Sequence, residues 1–406
     1  MPHSAQPLSA FNEAQPLSPE EMTRYSRHLL LPEVGVEGQK KLKNSRVLIV
    51  GAGGLGSPLL MYLAAAGVGE IGIADFDTVD TTNLQRQVAH GTENVGLPKA
   101  FSAQQRIASL NPHVHVHLEN ARLTHDNALA IISRYDAVAD GTDNFPSRYL
   151  LNHACALLGK PDIYGSIHRF EGQVSVFHTS RGPCYQCLFR EPPPAGMTPA
   201  CGEAGVLGVV PGIVGCLQAS EVIKVLLGIG TPLYGRLLRL DALAMRFREL
   251  AFTKNPDCSV CGSTPTSSLP DYEALCGFSA PDAPLDAKEI TARALHDRLS
   301  NGEPFHILDV RTPAEHLMGL IQGAFAMPLA EITRWATSTP PPETLIPPLS
   351  HLAATRQPVV VVCKNGVRSR LAIQTLRNAG YPHPLLNLTD GMNGWARDVD
   401  KGMVVY

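Results

Sequence analysis

The chain has 406 residues, 44% of them hydrophobic and 17% charged, with a formal net charge of −3. That balance leaves no basic footprint for nucleic acid, and the length exceeds what one ordinary core holds, so two domains are expected. Nine cysteines without a secretion signal point to a reducing, cytoplasmic setting, where paired cysteines more often hold metal or react than form disulfides.

Met1 to Gln15 has neither a basic start nor an apolar core, so residues 1–17 are expected to be a mobile arm. Ser18-Pro19-Glu20-Glu21 predicts a helix start, with a serine cap, a proline in the first turn and a glutamate reaching back to the cap amide. This helix would carry Arg24 and Arg27. Arg46–Val50 predicts a strand, residues 51–56 a glycine turn, the next stretch an apolar helix up to Gly67, and Glu70–Asp75 a second strand. Strand, turn, helix and strand form a βαβ unit, so the fold class is α/β: a Rossmann-like, mostly parallel sheet with right-handed crossovers. A helix near Lys99–Leu110, strands around Val114–Leu118 and Tyr135–Ala139, and a helix after Phe145 continue the alternation.

The longest apolar run, Val206–Leu217, is short and broken by Pro211, so no membrane span is expected. Composition shifts toward Ser, Pro and Ala over Gly262–Leu285, which reads as a linker at 263–285 between a domain at 18–262 and a smaller α/β unit at 286–406. The second unit should hold strands at Phe305–Val310 and Val359–Cys363, a helix from about Ser369, and a proline-rich surface loop at Thr339–Pro348.

Three constellations carry chemistry. The first is Gly51-x-Gly53-x-x-Gly56 between a strand and a helix, followed by Asp75 at the end of the next strand. Glycines let phosphate oxygens approach the backbone, and a helix N-terminus favours their charge. This pattern alone does not separate a nicotinamide cofactor from ATP. Asp77, Asn83, Arg86 and Lys99 favour ATP, because two cations and an amide suit charge building on phosphorus. Asp143-Asn144 lies at the carboxyl end of the sheet, where an aspartate could hold magnesium.

The second constellation is the double pair Cys184/Cys187 and Cys258/Cys261, a spacing that suits one tetrahedral structural zinc. Cys201, in Thr198-Pro-Ala-Cys201-Gly, is a candidate nucleophile for an acyl intermediate. Cys155 and Cys216 read as core residues, and Cys276 as a linker thiol. The third constellation is the loop from Cys363 to Arg368, where a cysteine at a strand end faces backbone N–H groups and a helix N-terminus. That environment stabilises anionic sulfur, as thiolate or persulfide. Asp309 and Arg311 would brace the loop, and Arg368 would attract an anionic donor. A phosphatase loop has one more residue; the shorter cradle favours sulfur over phosphate.

On Arg-Tyr-Ser-Arg-His, Gly-Ala-Gly-Gly-Leu-Gly, Asp-Phe-Asp, Asn-Leu-Gln-Arg-Gln, Gly-Leu-Pro-Lys, Thr-Asp-Asn and the cysteine pairs, residues from about Thr23 to Cys261 resemble the adenylating enzymes of the ubiquitin-activating superfamily. The match is to the bacterial molybdopterin-synthase and thiamine-biosynthesis adenylyltransferases. The resemblance implies that Gly54, Asp75, Asn83, Arg86, Lys99 and Asp143 contact ATP or its magnesium, Asp75 through the ribose hydroxyls. It also implies that Arg27 reaches the phosphates of a neighbouring subunit, which makes a homodimer the expected form, and that Cys201 takes part in a covalent link with a carrier protein. Leu308-Asp-Val-Arg311-Thr-Pro-Ala-Glu315, Gly319–Pro328, Cys363–Arg368 and Asp390-Gly-Met-Asn-Gly-Trp395 resemble a rhodanese sulfurtransferase domain.

Together these imply ATP-dependent adenylation of a ubiquitin-like sulfur carrier protein ending in Gly-Gly. Sulfur transfer from a Cys363 persulfide, charged by thiosulfate or a cysteine desulfurase persulfide, would follow. The cofactors implied are ATP, Mg2+ and Zn2+. A nicotinamide-dependent oxidoreductase and a non-catalytic carrier-binding scaffold are the alternatives.

Overall fold

The computed structural model describes residues 16–119, 121–192, 205–276, 288–337 and 345–406. The chain divides near residue 278 into two compact units.

The first unit is built on one eight-stranded sheet of order β3-β2-β1-β4-β5-β6-β7-β8. Its strands are β1 Arg46–Val50, β2 Glu70–Ala74, β3 His115–Glu119, β4 Ala137–Asp140, β5 Asp162–His168, β6 Glu171–Phe177, β7 Arg236–Asp241 and β8 Arg246–Ala251. The first five are parallel and the last three run antiparallel in turn. β1 is buried on both faces, which is why Val-Leu-Ile-Val shows no alternation. Val47 and Ile49 join one apolar cluster, Leu48 and Val50 the other, so the core lies on both sides of this strand.

Chain order reverses at β1, with β2 on one side and β4 on the other. Ligands of open α/β sheets bind in the crevice at the carboxyl ends beside such a point. Two glycines make that crevice possible. Gly51 follows β1 at φ +92, and a Cβ there would lie 2.7 Å from the Gly141 carbonyl oxygen beyond β4. A Cβ on Gly56 would overlap the Gly51 carbonyl oxygen. The Gly56–Ala66 helix then runs to a left-handed cap at Gly67, as expected. The Pro19–Arg24 helix likewise opens on the anticipated Ser18/Glu21 capping box.

Pro211 does not break the apolar run. It sits in the first turn of a continuous helix, Val209–Leu227, where a missing N–H leaves no intrahelical bond unmade. By length and composition this is one helix apolar enough to cross a membrane. It packs on β5, β6 and the Gly56–Ala66 helix, with Val210, Val214, Gln218 and Val222 fully buried. Cys216 on the same helix is half-buried beside His28 and Tyr62 in a shallow depression, not in the core as expected. Cys155 is buried as expected.

Packing also continues into the stretch read as a linker. Tyr272 stacks on Tyr149 with ring centroids 5.7 Å apart, and its hydroxyl lies 2.9 Å from His153 Nδ1. Cys276 is buried there, so it is not a loose linker thiol.

The second unit is a five-stranded, all-parallel sheet of order β11-β10-β12-β13-β9. The strands are β9 Lys288–Ile290, β10 His306–Asp309, β11 Phe325–Ala326, β12 Val359–Val362 and β13 Leu385–Leu388. The helix after β12 spans Val367–Asn378 and begins at Gly366, whose φ of 87 only glycine adopts readily. The proline-rich loop lies mostly outside the described residues.

Candidate functional site

In the crevice of the first unit, Asp75 is held by backbone on both oxygens. Its Oδ2 accepts from Ala52 N at 2.7 Å and its Oδ1 from Asp77 N at 2.8 Å. Burial raises its pKa, against those two N–H groups and the nearby Lys99. Lys99 opens the Lys99–Leu110 helix and is only 6% exposed. A buried ammonium needs a partner. Lys99 Nζ donates to Asp77 Oδ2 at 2.8 Å, and Lys99 N to the Asp77 carbonyl at 2.9 Å.

Asn83 closes a short turn, Thr81–Asn83, with its Oδ1 accepting from Asp80 N at 3.2 Å. Arg86 follows, its Nη1 donating to the Thr82 carbonyl at 3.1 Å. Arg86 also flanks the glycine turn: a Cβ on Gly54 would lie 3.6 Å from Arg86 Cγ and 3.1 Å from Pro211 Cβ. Glycine turn, acid and two cations thus gather beyond β1 and β2, with Asn83 in the turn that leads into Arg86, its carbonyl accepting from Arg86 N at 3.0 Å.

His90 was not anticipated from sequence, because no spacing marks it. It is buried between the Ala52 carbonyl, 2.9 Å from Nε2, and Ser102 Oγ, 2.9 Å from Nδ1. Burial lowers its pKa, so the ring is neutral. The carbonyl can only accept, so Nε2 carries the proton and Ser102 donates to Nδ1. His90 therefore pins the glycine turn to the helix that bears Lys99.

Asp143 is exposed after β4. Asn144 caps the Phe145–Leu158 helix, its Oδ1 accepting from Ser147 N at 3.0 Å, so this oxygen is engaged by the fold. Arg27 is exposed in the Ser26–Leu29 turn and has no side-chain hydrogen bond or ion pair among the described residues. Cys201 lies outside the described residues.

The cysteine pairs do meet. The sulfurs of Cys184, Cys187, Cys258 and Cys261 all lie within 4.8 Å of one another, with Cys184–Cys258 at 3.6 Å and Cys187–Cys261 at 3.3 Å. A tetrahedral ion with metal–sulfur bonds of about 2.3 Å separates its sulfurs by about 3.8 Å. The cluster therefore suits a tetrahedral, thiophilic metal ion. Hydrogen bonds from Cys184 and its neighbours lower the pKa of the Cys261 thiol, while those of Cys184 and Cys187 are raised within the same cluster.

In the second unit, Cys363 directly follows β12 and is fully buried. Its sulfur accepts from Gly366 N at 3.2 Å and lies 3.3 Å from Ser369 Oγ. Arg368 does not reach outward to an anionic donor. Its guanidinium makes paired bonds of 2.8 and 2.6 Å to Glu315, and its side chain is 10% exposed. A buried guanidinium is held where a carboxylate matches its fork. Burial would raise the Glu315 pKa, but Arg368 and the Thr312 N–H outweigh it and hold the group at about 2.

Asp309 and Arg311, expected to brace the Cys363 loop, are engaged with each other and with the segment from Glu315 to Gly319. Arg311 Nη2 bonds Asp309 Oδ2 at 2.7 Å and the Gly319 carbonyl at 2.7 Å. Tyr406, which sequence reasoning missed, joins the two ion pairs. Its hydroxyl receives a 2.9 Å bond from Arg311 Nη1 and lies 3.1 Å from Glu315 Oε1, while Lys364 Nζ sits 5.0 Å from its ring centroid.

Residues 25–260 match the ThiF family and residues 291–398 the Rhodanese-like domain. The chain is 45% identical over 413 residues to the probable adenylyltransferase/sulfurtransferase MoeZ of Mycobacterium tuberculosis, covering 100% of this chain and 99% of that protein. It is 55% identical over 265 residues to the sulfur carrier protein adenylyltransferase of Thermus thermophilus, covering 64% of this chain and 98% of that one. Among solved structures, E. coli MccB with ATP superimposes with a TM-score of 0.51 at 25% identity, over 59% of this chain and 74% of that one.

Proposed function

The chain belongs to the ThiF family with a rhodanese-like domain behind it, and from that premise we infer that it is an enzyme which adenylates a sulfur carrier protein and passes sulfur to it. The acceptor in this reading is the C-terminal carboxylate of a ubiquitin-like carrier ending in Gly-Gly. A carboxylate lacks a leaving group; attack on the α-phosphorus of ATP expels pyrophosphate and supplies one, AMP. Asp75, already fixed by two backbone N–H groups, offers its remaining lone pairs to the ribose hydroxyls. Arg86 and Lys99, with Asn83 beside them and Arg27 of the partner subunit in a homodimer, stabilise charge on the phosphates. Asp143 would hold magnesium, which when bound neutralises the triphosphate.

Cys363 then reacts as a persulfide, charged by thiosulfate or a cysteine desulfurase persulfide. Its terminal sulfur attacks the acyl carbon, the C–O bond to AMP breaks, and an acyl disulfide forms. A second thiol, the role proposed for Cys201, attacks the Cys363 sulfur. The S–S bond breaks, the carrier leaves as a thiocarboxylate, and an external thiol reduces the remaining disulfide. Zinc is the proposed ion of the four-cysteine cluster. All four ligand positions there are protein thiolates, so its part is to tie residues 184–187 to 258–261 rather than to react.

The observation that carries this reading is Cys363, a fully buried sulfur facing a backbone N–H at a helix start, in the same chain as the Asp75–Lys99 crevice. Nicotinamide-dependent oxidation and a non-catalytic scaffold, both compatible with a glycine turn alone, leave that sulfur without a task. Intact-mass analysis of a carrier incubated with the enzyme, ATP and thiosulfate tests it. An oxygen-to-sulfur exchange at the carrier terminus is expected. An unaltered carrier, with pyrophosphate exchange that needs no carrier, would sink it.

A further inference from the structure

Asn387 stands where an apolar residue belongs. It lies in β13, Leu385–Leu388, a strand buried along its whole length between two parallel neighbours. Such strands are usually apolar throughout, and a carboxamide buried there costs stability unless its hydrogen bonds are made. Its Nδ2 donates to Glu289 Oε2 at 3.1 Å, and its Oδ1 accepts from Ser369 Oγ at 2.6 Å. Glu289 is itself fixed from outside by Arg370 Nε at 2.9 Å and Thr389 Oγ1 at 3.0 Å. Ser369 is fully buried, and its oxygen is the one that lies 3.3 Å from the Cys363 sulfur.

The polarity of this relay is determined by its outer end. An ionised carboxylate only accepts, so Asn387 must turn its Nδ2 toward Glu289 and its Oδ1 toward Ser369. Ser369 has one proton, and Asn387 claims it. What the hydroxyl then shows the sulfur is a lone pair, which receives an S–H but repels an anion. When the sulfur is anionic, the hydroxyl gains by rotating and donating to it, since a charge-assisted bond exceeds a neutral one.

We propose that Ser369 is a further catalytic residue of the sulfur-transfer site, its hydroxyl alternating between Asn387 when Cys363 is a thiol and the sulfur when it is anionic, with Asn387 and Glu289 as positioning residues that set the balance. The proposal rests on the sulfurtransferase reading of Cys363. No bond to sulfur is made or broken by the relay; a single hydroxyl rotates. The charged groups of this loop and its surroundings are Lys364, Arg368, Glu315, Arg311 and Asp309 on one side and Glu289 with Arg370 on the other. The variants below change only Glu289 among them.

The test is the pH midpoint of Cys363 alkylation by iodoacetamide in the full chain, read by peptide mass spectrometry. Ser369→Ala removes the donor to the anion and should move the midpoint up by about one pH unit. Asn387→Leu releases the hydroxyl to the sulfur and should move it down. Glu289→Gln should also move it down, because a neutral amide lets Asn387 turn over and donate to Ser369. Glu289 is exposed, so this variant serves if Asn387→Leu does not fold.

Opposite shifts are the signature; a structural role would move all variants alike. An unchanged midpoint in Ser369→Ala, or shifts of one sign throughout, overturns the relay. Thiosulfate sulfurtransfer in Cys363→Ala is a separate readout: its persistence would remove the sulfurtransferase reading itself, whatever the midpoints show.

Discussion

The two sites handle charge in opposite ways. Around the glycine turn, Arg86 is tied to the fold by a side-chain bond to a backbone carbonyl, and Asp143 and Arg27 are exposed. Around the Cys363 loop, both arginines are buried against carboxylates of the same unit: Arg311 on Asp309 and Arg368 on Glu315. In the first site Lys99 is paired with Asp77, while Arg86, Asp143 and Arg27 make no ion pair among the described residues, which suits the nucleotide proposed there. The second spends its ion pairs on holding a loop in place and leaves anionic sulfur to a backbone N–H, a hydroxyl and a helix end. Charged residues within a motif are therefore not alike: one set is left for the proposed substrate, the other is taken up by the scaffold.

The sharpest way to break the contrast is to strip the metal proposed for the four-cysteine cluster. Four-thiolate sites can supply about 10 kcal/mol or more to folding. A strong chelator, or Cys258→Ser, should abolish pyrophosphate exchange and the melting transition of the first unit, while thiosulfate sulfurtransfer by the second persists. Simultaneous loss of both would contradict the division of labour.

Removing Glu315 comes next. Glu315→Ala removes the carboxylate that pairs with the buried Arg368 guanidinium, which should destabilise the second unit by about 3–5 kcal/mol in calorimetry. Arg86→Ala should instead leave melting unchanged and slow pyrophosphate exchange by about 10²–10³-fold. Equal effects of the two variants on stability would erase the distinction between ligand-facing and scaffold-facing cations.

A pH titration sharpens the same point. The folded pKa of Glu315, about 2, lies below its ordinary value of 4.5. Its stabilisation is thus complete above pH 4.5 and drains away as pH falls toward 2, by about 3 kcal/mol in all. The melting temperature of the second unit should drop over that window in the wild type and much less in Glu315→Gln. The smallest effect expected is from Asn144→Ala, about 1 kcal/mol for a lost helix cap. A larger fall in nucleotide affinity than in stability would return Asn144 to the ligand.

Much of the first unit is written locally. Gly51, Gly56 and Gly67 punctuate the chain where backbone geometry demands glycine, and Val-Leu-Ile-Val is apolar because both faces of β1 are covered. The antiparallel half is not legible in that way. β8, Arg-Phe-Arg-Glu-Leu-Ala, is exposed along its length and owes its order to pairing with β7. β5, the last parallel strand, on which that half is built, opens on a buried acid, Asp162, and carries Gly165, so no apolar run announces it.

The motif cysteines and the nucleotide-loop residues were readable as residue types at fixed spacing. Their partners were not. Glu315 meets Arg368 across 53 residues and Glu289 meets Asn387 across 98, distances at which pattern carries no information about contact. That is why Arg368 reads as a hook for anions in sequence and proves to be a brace in the fold.

The close approach of Gly51 to Gly141 has a consequence for anyone redesigning this enzyme. Where those two chain segments touch, no side chain intervenes, so mutation there has nothing to vary except whether the fold survives. On the proposed reading, altered preference for a different nucleotide would come from the rim, at Asp75, Asn83 and Arg86. Libraries that randomise the glycines will return mostly unfolded protein.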